Sequence, residues 1–267
     1  MIIEILLWAI LPAILISIYI AKKDLFPEPN KAIASAIALG FLIFIPHEIF
    51  FIFFGEYYWS IYYDSLTDRH FINLLESFFQ AAFLEESLKF LVFLFFVSKF
   101  NAFNEPMDAI VYGVCISLGF SLMETLQWTN SVYFDEGASA ALFEAKSRAW
   151  SSNTMHAGCG ILMGIFLSNA FFQKKNNFVK LTLALFIPIL LHGFYNFSIG
   201  HDAAILSILL LLFCLGLILF GWKKAKKRQK LKMMENEDKV ISINFFNISL
   251  VIFLNFMLVV GLINILR

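Results

Sequence analysis

Two adjacent glutamates, Glu85 and Glu86, and a lysine three residues further on, Lys89, interrupt the apolar stretch FFQAAFLEESLKFLVFLFF. Charges at bilayer depth cost roughly 2.5–3.5 kcal/mol each on insertion scales, so three within five residues need a compensating role. Other polar groups stand in similarly apolar surroundings: Glu124 in GFSLMETLQW, His156 in SSNTMHAGCG, and His192 with Asn196 in LLHGFYNF. Carboxylates and imidazoles in a partly dry cavity are the parts needed for hydrolysis by an activated water, with a glutamate as general base. His156, His192 and Glu124 also form a ligand set suited to zinc, which would acidify a bound water. No H-E-x-x-H helix occurs, so the metal reading rests on the polar cluster rather than on a motif.

Helical spacing constrains how these groups meet. Glu85 and Lys89 are i and i+4, Glu86 and Lys89 are i and i+3, so the lysine can reach either carboxylate while the adjacent glutamates diverge by about 100°. One glutamate is then paired and the other projects into the cavity, and the spacing leaves open which does which. His192 and Asn196, also i and i+4, share a face on which the amide can orient the imidazole or donate to a developing oxyanion.

Membrane helices must position these residues. The 267 residues are 60% hydrophobic, with 33 Phe and only 15% charged residues, and the mean hydropathy is +0.78. That composition belongs to a polytopic membrane protein, with the bilayer as its first partner and no expectation of a nucleic-acid one. Long apolar runs mark about eight spans, near 2–21, 31–54, 73–98, 107–130, 148–172, 178–199, 203–222 and 240–266. Because backbone polar groups find no water in the bilayer core, and dyad alternation is missing, the expected fold is an all-α bundle of about eight transmembrane helices. The first span lacks a basic region before it and an A-x-A site after it, and reads as a retained helix.

Lys22, Lys23, Lys31, Lys99, Lys174, Lys175, Lys180 and the run from Lys223 to Lys239 fall on one side of alternating connections. Arg69, Lys146, Arg148 and Arg267 fall on the other, so the positive-inside rule puts both termini outside. With that orientation and a rise of ~1.5 Å per residue, Glu85, Glu124, His156 and His192 all map to the outer half of the bilayer. One polar cavity shared by four helices is expected there.

Other features carry blander readings. Cys115, Cys159 and Cys214 lie in predicted spans without C-x-x-C spacing and read as packed free thiols. Gly160 and Gly164 give a small-xxx-small face for close helix packing. His47 and Glu48 map to a similar depth and can line the same cavity or make a separate structural contact. The basic stretch KKAKKRQKLK is an orientation determinant, with anionic lipid headgroups as an alternative partner. The segments Gly55–Ile72 and Ser131–Ser147 read as the longest external loops, either a substrate rim or an interfacial aromatic belt.

Taken in order, several pieces resemble the PrsW family of intramembrane proteases, related to the type II CAAX prenyl endopeptidases and bacterial CPBP proteins. They are the E-E-x-x-K from Glu85 to Lys89, the F-x-x-x-E from Phe120 to Glu124 within FNEPMDAIVYGVCISLGFSLMET, the Arg148 to His156-Ala157 segment, and the H-x-x-x-N of His192 and Asn196. AILPAILISIYIAKKDLFPEPN resembles the family's first helix and Pro-rich connection. Asn196 stands where the family often has Asp, which leaves its hydrogen bonding but removes a charge. The resemblance covers roughly residues 5–200 and implies a protease core over 1–200, followed by a C-terminal helix pair over 201–267 with a basic cytoplasmic loop.

It further implies an endopeptidase of the bacterial cytoplasmic membrane that cleaves membrane-anchored proteins, anti-sigma factors being the best-known substrates. Glu85 and Glu86 would then be the water-activating base and its partner, with Lys89 balancing charge. His156 and His192 would bind metal or stabilise the oxyanion, Glu124 would complete the set, and Asn196 would assist His192. Two other classes use the same residues differently: a proton-coupled transporter, and a non-catalytic scaffold that holds a partner's transmembrane helix. The transporter requires ionisable groups through both leaflets or a repeat, and the inner halves of the spans offer neither.

Overall fold

The structure, a computed structural model, describes residues 1–64, 68–173, 177–235 and 244–267, and contains no strand among them. Twelve α-helices follow in order among these residues: α1 Ile2–Ala21, α2 Asn30–Leu42, α3 Phe44–Asp64, α4 Arg69–Leu74, α5 Leu84–Phe95, α6 Asp108–Glu136, α7 Ala138–Trp150, α8 Ser152–Phe172, α9 Asn177–Gly200, α10 Ala204–Phe220, α11 Lys223–Glu235 and α12 Phe245–Leu266. Seven helical stretches are long and apolar enough to cross a membrane. The chain is thus an all-α, multi-pass membrane protein. The expected span near 73–98 is also helical but composite: α4 runs into a π-helical stretch, Leu75–Phe83, and then into α5. The wider π turn ends just before the two glutamates and sets the direction in which they project.

At the centre, α6 and α8 pack backbone to backbone. A Cβ on Gly113 would meet the Gly160 carbonyl oxygen at 2.6 Å, and one on Gly160 would meet that of Gly113 at 2.6 Å. Only hydrogen fits at either position, and the small-residue face that includes Gly160 therefore fixes how close His156 comes to α6. Both helices are buried along most of their length, with α9 on the far side of α8 and α2 against α6. Cys115, Cys159 and Cys214 are buried free thiols, as expected.

The region 131–147, read from sequence as a loop, is helical instead. α6 continues to Glu136, Gly137 turns the chain at φ +90, and α7 follows. The aromatic and acidic composition that suggested a loop conceals a stripe of Ala141, Ala145 and Ala149 at i, i+4 and i+8, buried on α7, of which Ala141 and Ala145 share a cluster with Ile5 of α1. The other expected loop, Gly55–Ile72, is also mostly helical, since α3 runs to Asp64 and α4 starts at Arg69; its Ser65 to Thr67, and Lys174, Lys175 and Lys239 of the basic set, lie outside the described residues.

The C-terminal helices are packed on the rest of the bundle. α10 lies against α8 and α9, and α12 against α9 and the π stretch, where Phe256 meets Phe79 and Phe83 at ring-centroid distances of 6.1 and 5.7 Å. The N-terminal turns of α1 and the C-terminal half of α6 line an open, apolar cleft of about 540 Å³ that includes Ile2, Leu6, Met123 and Gln127. At the opposite end of the bundle the basic side chains gather: Lys23 and Lys226 lie over the Trp222 ring, while Lys180 and Arg228 bond around Asn169.

Candidate active site

The first turn of α5 carries Glu85 and Glu86, and its second turn Lys89. Glu86 and Lys89 are fully sealed from solvent and Glu85 is 6% exposed. Lys89 Nζ donates to Glu86 Oε1 at 2.7 Å and stands 3.5 Å from Glu85 Oε2, the i+3 and i+4 contacts of one helix turn. Two imidazoles close on this trio. His192 of α9 places Nδ1 3.0 Å from Glu86 Oε1 and Nε2 3.9 Å from Glu85 Oε2. His156 of α8 places Nδ1 3.0 Å from Lys89 Nζ and Nε2 3.0 Å from Glu124 Oε2. The two rings are 5.1 Å apart, centroid to centroid.

Donor chemistry assigns the tautomers. An ammonium only donates, so His156 Nδ1 must accept from Lys89, and its Nε2–H then donates to Glu124. A carboxylate only accepts, so His192 Nδ1–H donates to Glu86, leaving the Nε2 lone pair on the side of Glu85. Glu86 Oε1 thus receives two hydrogen bonds, while Glu85 Oε2 and Glu86 Oε2 are buried without any.

Glu124 is the far end of the constellation. Its Oε2 takes Arg148 Nη2 at 2.7 Å as well as His156, and Ser152 Oγ approaches to 3.5 Å. Arg148, at the end of α7, also donates to Thr125 and Ser152 and so ties α6, α7 and α8 together beside the site. Phe120, one turn before Glu124, covers Lys89, with Nζ 4.5 Å from its ring centroid, and meets the His156 ring edge-on at 5.7 Å. Neither role was assigned from sequence, although Arg148 is among the few basic residues at this end and Phe120 begins the F-x-x-x-E.

The expected residues are not all equivalent in space. Glu85, Glu86, His156 and His192 each offer a ligand atom within 4.8 Å of the others. Glu124 stands outside that group, held by Arg148 on the remote nitrogen of His156. Asn196 is half-buried one turn beyond His192, and among the described residues it makes no hydrogen bond to that imidazole, whose Nδ1 is taken by Glu86. His47 bonds its neighbour Glu48 at 3.3 Å and meets the Phe120 ring beside the site at a centroid distance of 6.2 Å.

The donor set fits a bound metal. Three carboxylates against one ammonium and one guanidinium leave an uncompensated negative charge, and two buried carboxylate oxygens in the group have no donor. Two imidazoles with carboxylate oxygens are the ligand types that hold zinc in hydrolytic enzymes.

Comparison with known proteins gives a consistent result. The family described as "PrsW family intramembrane metalloprotease" matches residues 28–222. Among curated proteins, the chain is 34% identical to "Protease PrsW" of Oceanobacillus iheyensis over 75% of this chain and 85% of that protein. It is 36% identical to the protein of that name in Bacillus subtilis over 60% and 69% respectively, and 28% identical to that of Shouchella clausii over 84% and 97%. No solved structure matches it.

Proposed function

The chain belongs to the PrsW family of intramembrane metalloproteases, and from that premise we propose that it hydrolyses peptide bonds of membrane-anchored, anti-sigma-factor-like proteins at the Glu85, Glu86, His156 and His192 group. The observation that carries the assignment is the closure of two glutamates of α5 with imidazoles of α8 and α9 in one buried cluster, with Glu85 Oε2 near Lys89 but accepting no hydrogen bond. The basic end of the bundle faces the cytoplasm in this reading, which puts the site in the outer half of the bacterial cytoplasmic membrane and both termini outside.

Glu85 is the general base. Glu86 Oε1 is engaged by both Lys89 and His192, whereas Glu85 Oε2 accepts no hydrogen bond and Glu85 is the more exposed of the pair. Glu85 removes a proton from water as the water oxygen attacks the scissile carbonyl carbon, moving the carbonyl electron pair onto oxygen. The protonated Glu85 then delivers its proton to the amide nitrogen as the C–N bond breaks. Lys89 offsets the charge of the paired carboxylates, and Glu124 with Arg148 holds His156 in one tautomer. His192 through its Nε2 lone pair, Glu86 through its unbonded Oε2 and His156 through the Nδ1 lone pair that Lys89 would have to release would hold zinc. A zinc ion held there would supply Lewis-acid chemistry, polarising a carbonyl and lowering the pKa of a bound water. Asn196, one turn from His192 on the same helix, would contribute its amide as a hydrogen-bonding group to the substrate.

The test is cleavage of a membrane-anchored reporter by the purified protein, with metal content measured in parallel. Glu85→Gln is expected to lower turnover by roughly 10²- to 10⁴-fold, and chelation to abolish turnover until zinc is restored. Undiminished cleavage by Glu85→Gln, or full activity of demonstrably metal-free protein, would overturn the assignment.

A further inference from the structure

A second polar cluster lies at the other end of the bundle. Asp24 and Glu28 come from the connection between α1 and α2, and Asp108 opens α6. All three are buried, at 6%, 8% and 1% exposure. One oxygen of each lies within 4.8 Å of the others. Among the described residues, no lysine, arginine or histidine nitrogen lies within 4.0 Å of any of them. Lys226, the cation that acts on Asp24, does so at longer range and rests against Trp222.

The surrounding donors treat these groups as anions. Asp108 Oδ2 accepts the backbone N–H groups of Asn104 and Glu105 at 2.8 and 2.6 Å. Asp24 Oδ1 accepts the N–H of Phe26 at 3.0 Å and Gln229 Nε2 at 2.5 Å, and Glu28 Oε2 accepts the Tyr112 hydroxyl. Donors converging on carboxylate oxygens favour the charged form. Yet Asp24 Oδ2 is sealed from solvent with no hydrogen-bond donor. With no counterion among the described residues, three adjacent buried carboxylates cannot all stay charged on their own, so a cation or protons must enter the cluster.

We propose that Asp24, Glu28 and Asp108 hold a hard divalent cation, calcium or magnesium, at the end of the bundle remote from the peptidase site. An all-oxygen set of carboxylates selects these ions over softer ones. Asp108 precedes Glu124 by about 24 Å along α6 at the helical rise, so the ion takes no part in peptide hydrolysis. It instead fastens the α1–α2 connection to the start of α6. Through Gln229, which donates to both Asp24 and Glu105, the same node also docks the basic helix α11. Glu28 and Asp108 are within bonding reach of each other, so a shared proton is the competing source of positive charge.

Terbium is a suitable probe, because Tyr112 is bonded to Glu28 and can sensitise its emission. Full-length protein in detergent, stripped of divalent ions, is titrated with Tb³⁺ under tyrosine excitation and then with Ca²⁺ or Mg²⁺ as competitors. A saturable signal displaced by either ion, weakened at least tenfold in Asp24→Asn and in Asp108→Asn and retained in His156→Ala, is expected. A rise in Tm on adding Ca²⁺ or Mg²⁺ should likewise be lost in the two cluster variants. No Tb³⁺ signal in the wild type, an unchanged signal in both variants, or a signal lost only with His156→Ala would overturn the proposal. If Asp108→Asn does not fold, Asp24→Asn decides alone.

Discussion

His192 Nδ1 lies 3.0 Å from Glu86 Oε1, and this contact joins α9 to α5 across 106 positions of sequence. It spends the hydrogen-bonding capacity of one glutamate oxygen on holding an imidazole. Since Lys89 donates to the same oxygen at 2.7 Å, Glu86 is the anchored member of the adjacent pair. On the proposed mechanism the neighbouring carboxylate, Glu85, is the one left for proton transfer.

Glu85→Gln and Glu86→Gln should therefore fail in different ways. Removing the charge of Glu85 leaves Lys89 its closer partner, so turnover should collapse while the folded protein keeps or slightly gains stability. Removing that of Glu86 strands a fully buried ammonium and unties His192, and loss of one partner of a buried pair costs about 3–5 kcal/mol. Reporter cleavage combined with thermal unfolding in detergent separates the two, and equal destabilisation by both substitutions would contradict this division of roles.

Arg148→Ala should lower activity at least tenfold by releasing Glu124 from the remote nitrogen of His156. Arg148→Lys should restore only part of it, because Arg148 also donates to Thr125 and Ser152 through a fork that a lysine does not have. The nuclear magnetic resonance signal of the His156 Nε2 proton provides a readout beyond turnover. It should broaden or vanish in the alanine variant and survive in wild type.

The glutamates and histidines of the candidate site were legible because a charge or imidazole in an apolar run has few neutral explanations, and helical spacing predicted that Lys89 could reach either carboxylate without saying which one it holds more closely. Arg148 was less legible. Its contact with Glu124 depends on the turn at Gly137 and on α7, whose alanine stripe was concealed among acidic and aromatic residues. The π-helical stretch, against which α9 and α12 pack, left no sequence signal either. Asp24, Glu28 and Asp108 each look like an ordinary acid near a helix end, and only the tertiary fold brings them together.

Phe120 should contribute through its ring rather than its bulk. The Lys89 ammonium lies over the face, so Phe120→Leu removes a cation–π contact of about 0.5–2 kcal/mol with modest loss of packing. Phe120→Ala opens the core and should cost about 3–5 kcal/mol. Phe120→Tyr, which keeps the ring, should retain more activity than Phe120→Leu at matched stability, as judged by turnover of the membrane-anchored reporter.

In divalent-free solution the acidic cluster should make stability fall as pH rises. Burial pushes the Asp24 and Glu28 carboxyls above their ordinary values of 3.8 and 4.5, against hydrogen bonds from Gln229 and Tyr112 that pull the other way. A group whose folded-state value is raised binds its proton more tightly when folded. Its stabilising contribution is complete below the ordinary value and disappears as pH climbs through the raised one. The groups facing the pair are Glu105, Asp108, Tyr112, Lys226 and Gln229, and the additional carboxylates reinforce proton retention while Lys226 opposes it. Unfolding measured from about pH 4 to 8 should show this decline in the stripped wild type. The decline should be shallower in Asp24→Asn, and shallower in wild type with millimolar Ca²⁺, because the ion supplies the positive charge that the protons gave up. A decline equally steep with and without Ca²⁺ would mean that protons alone neutralise the cluster.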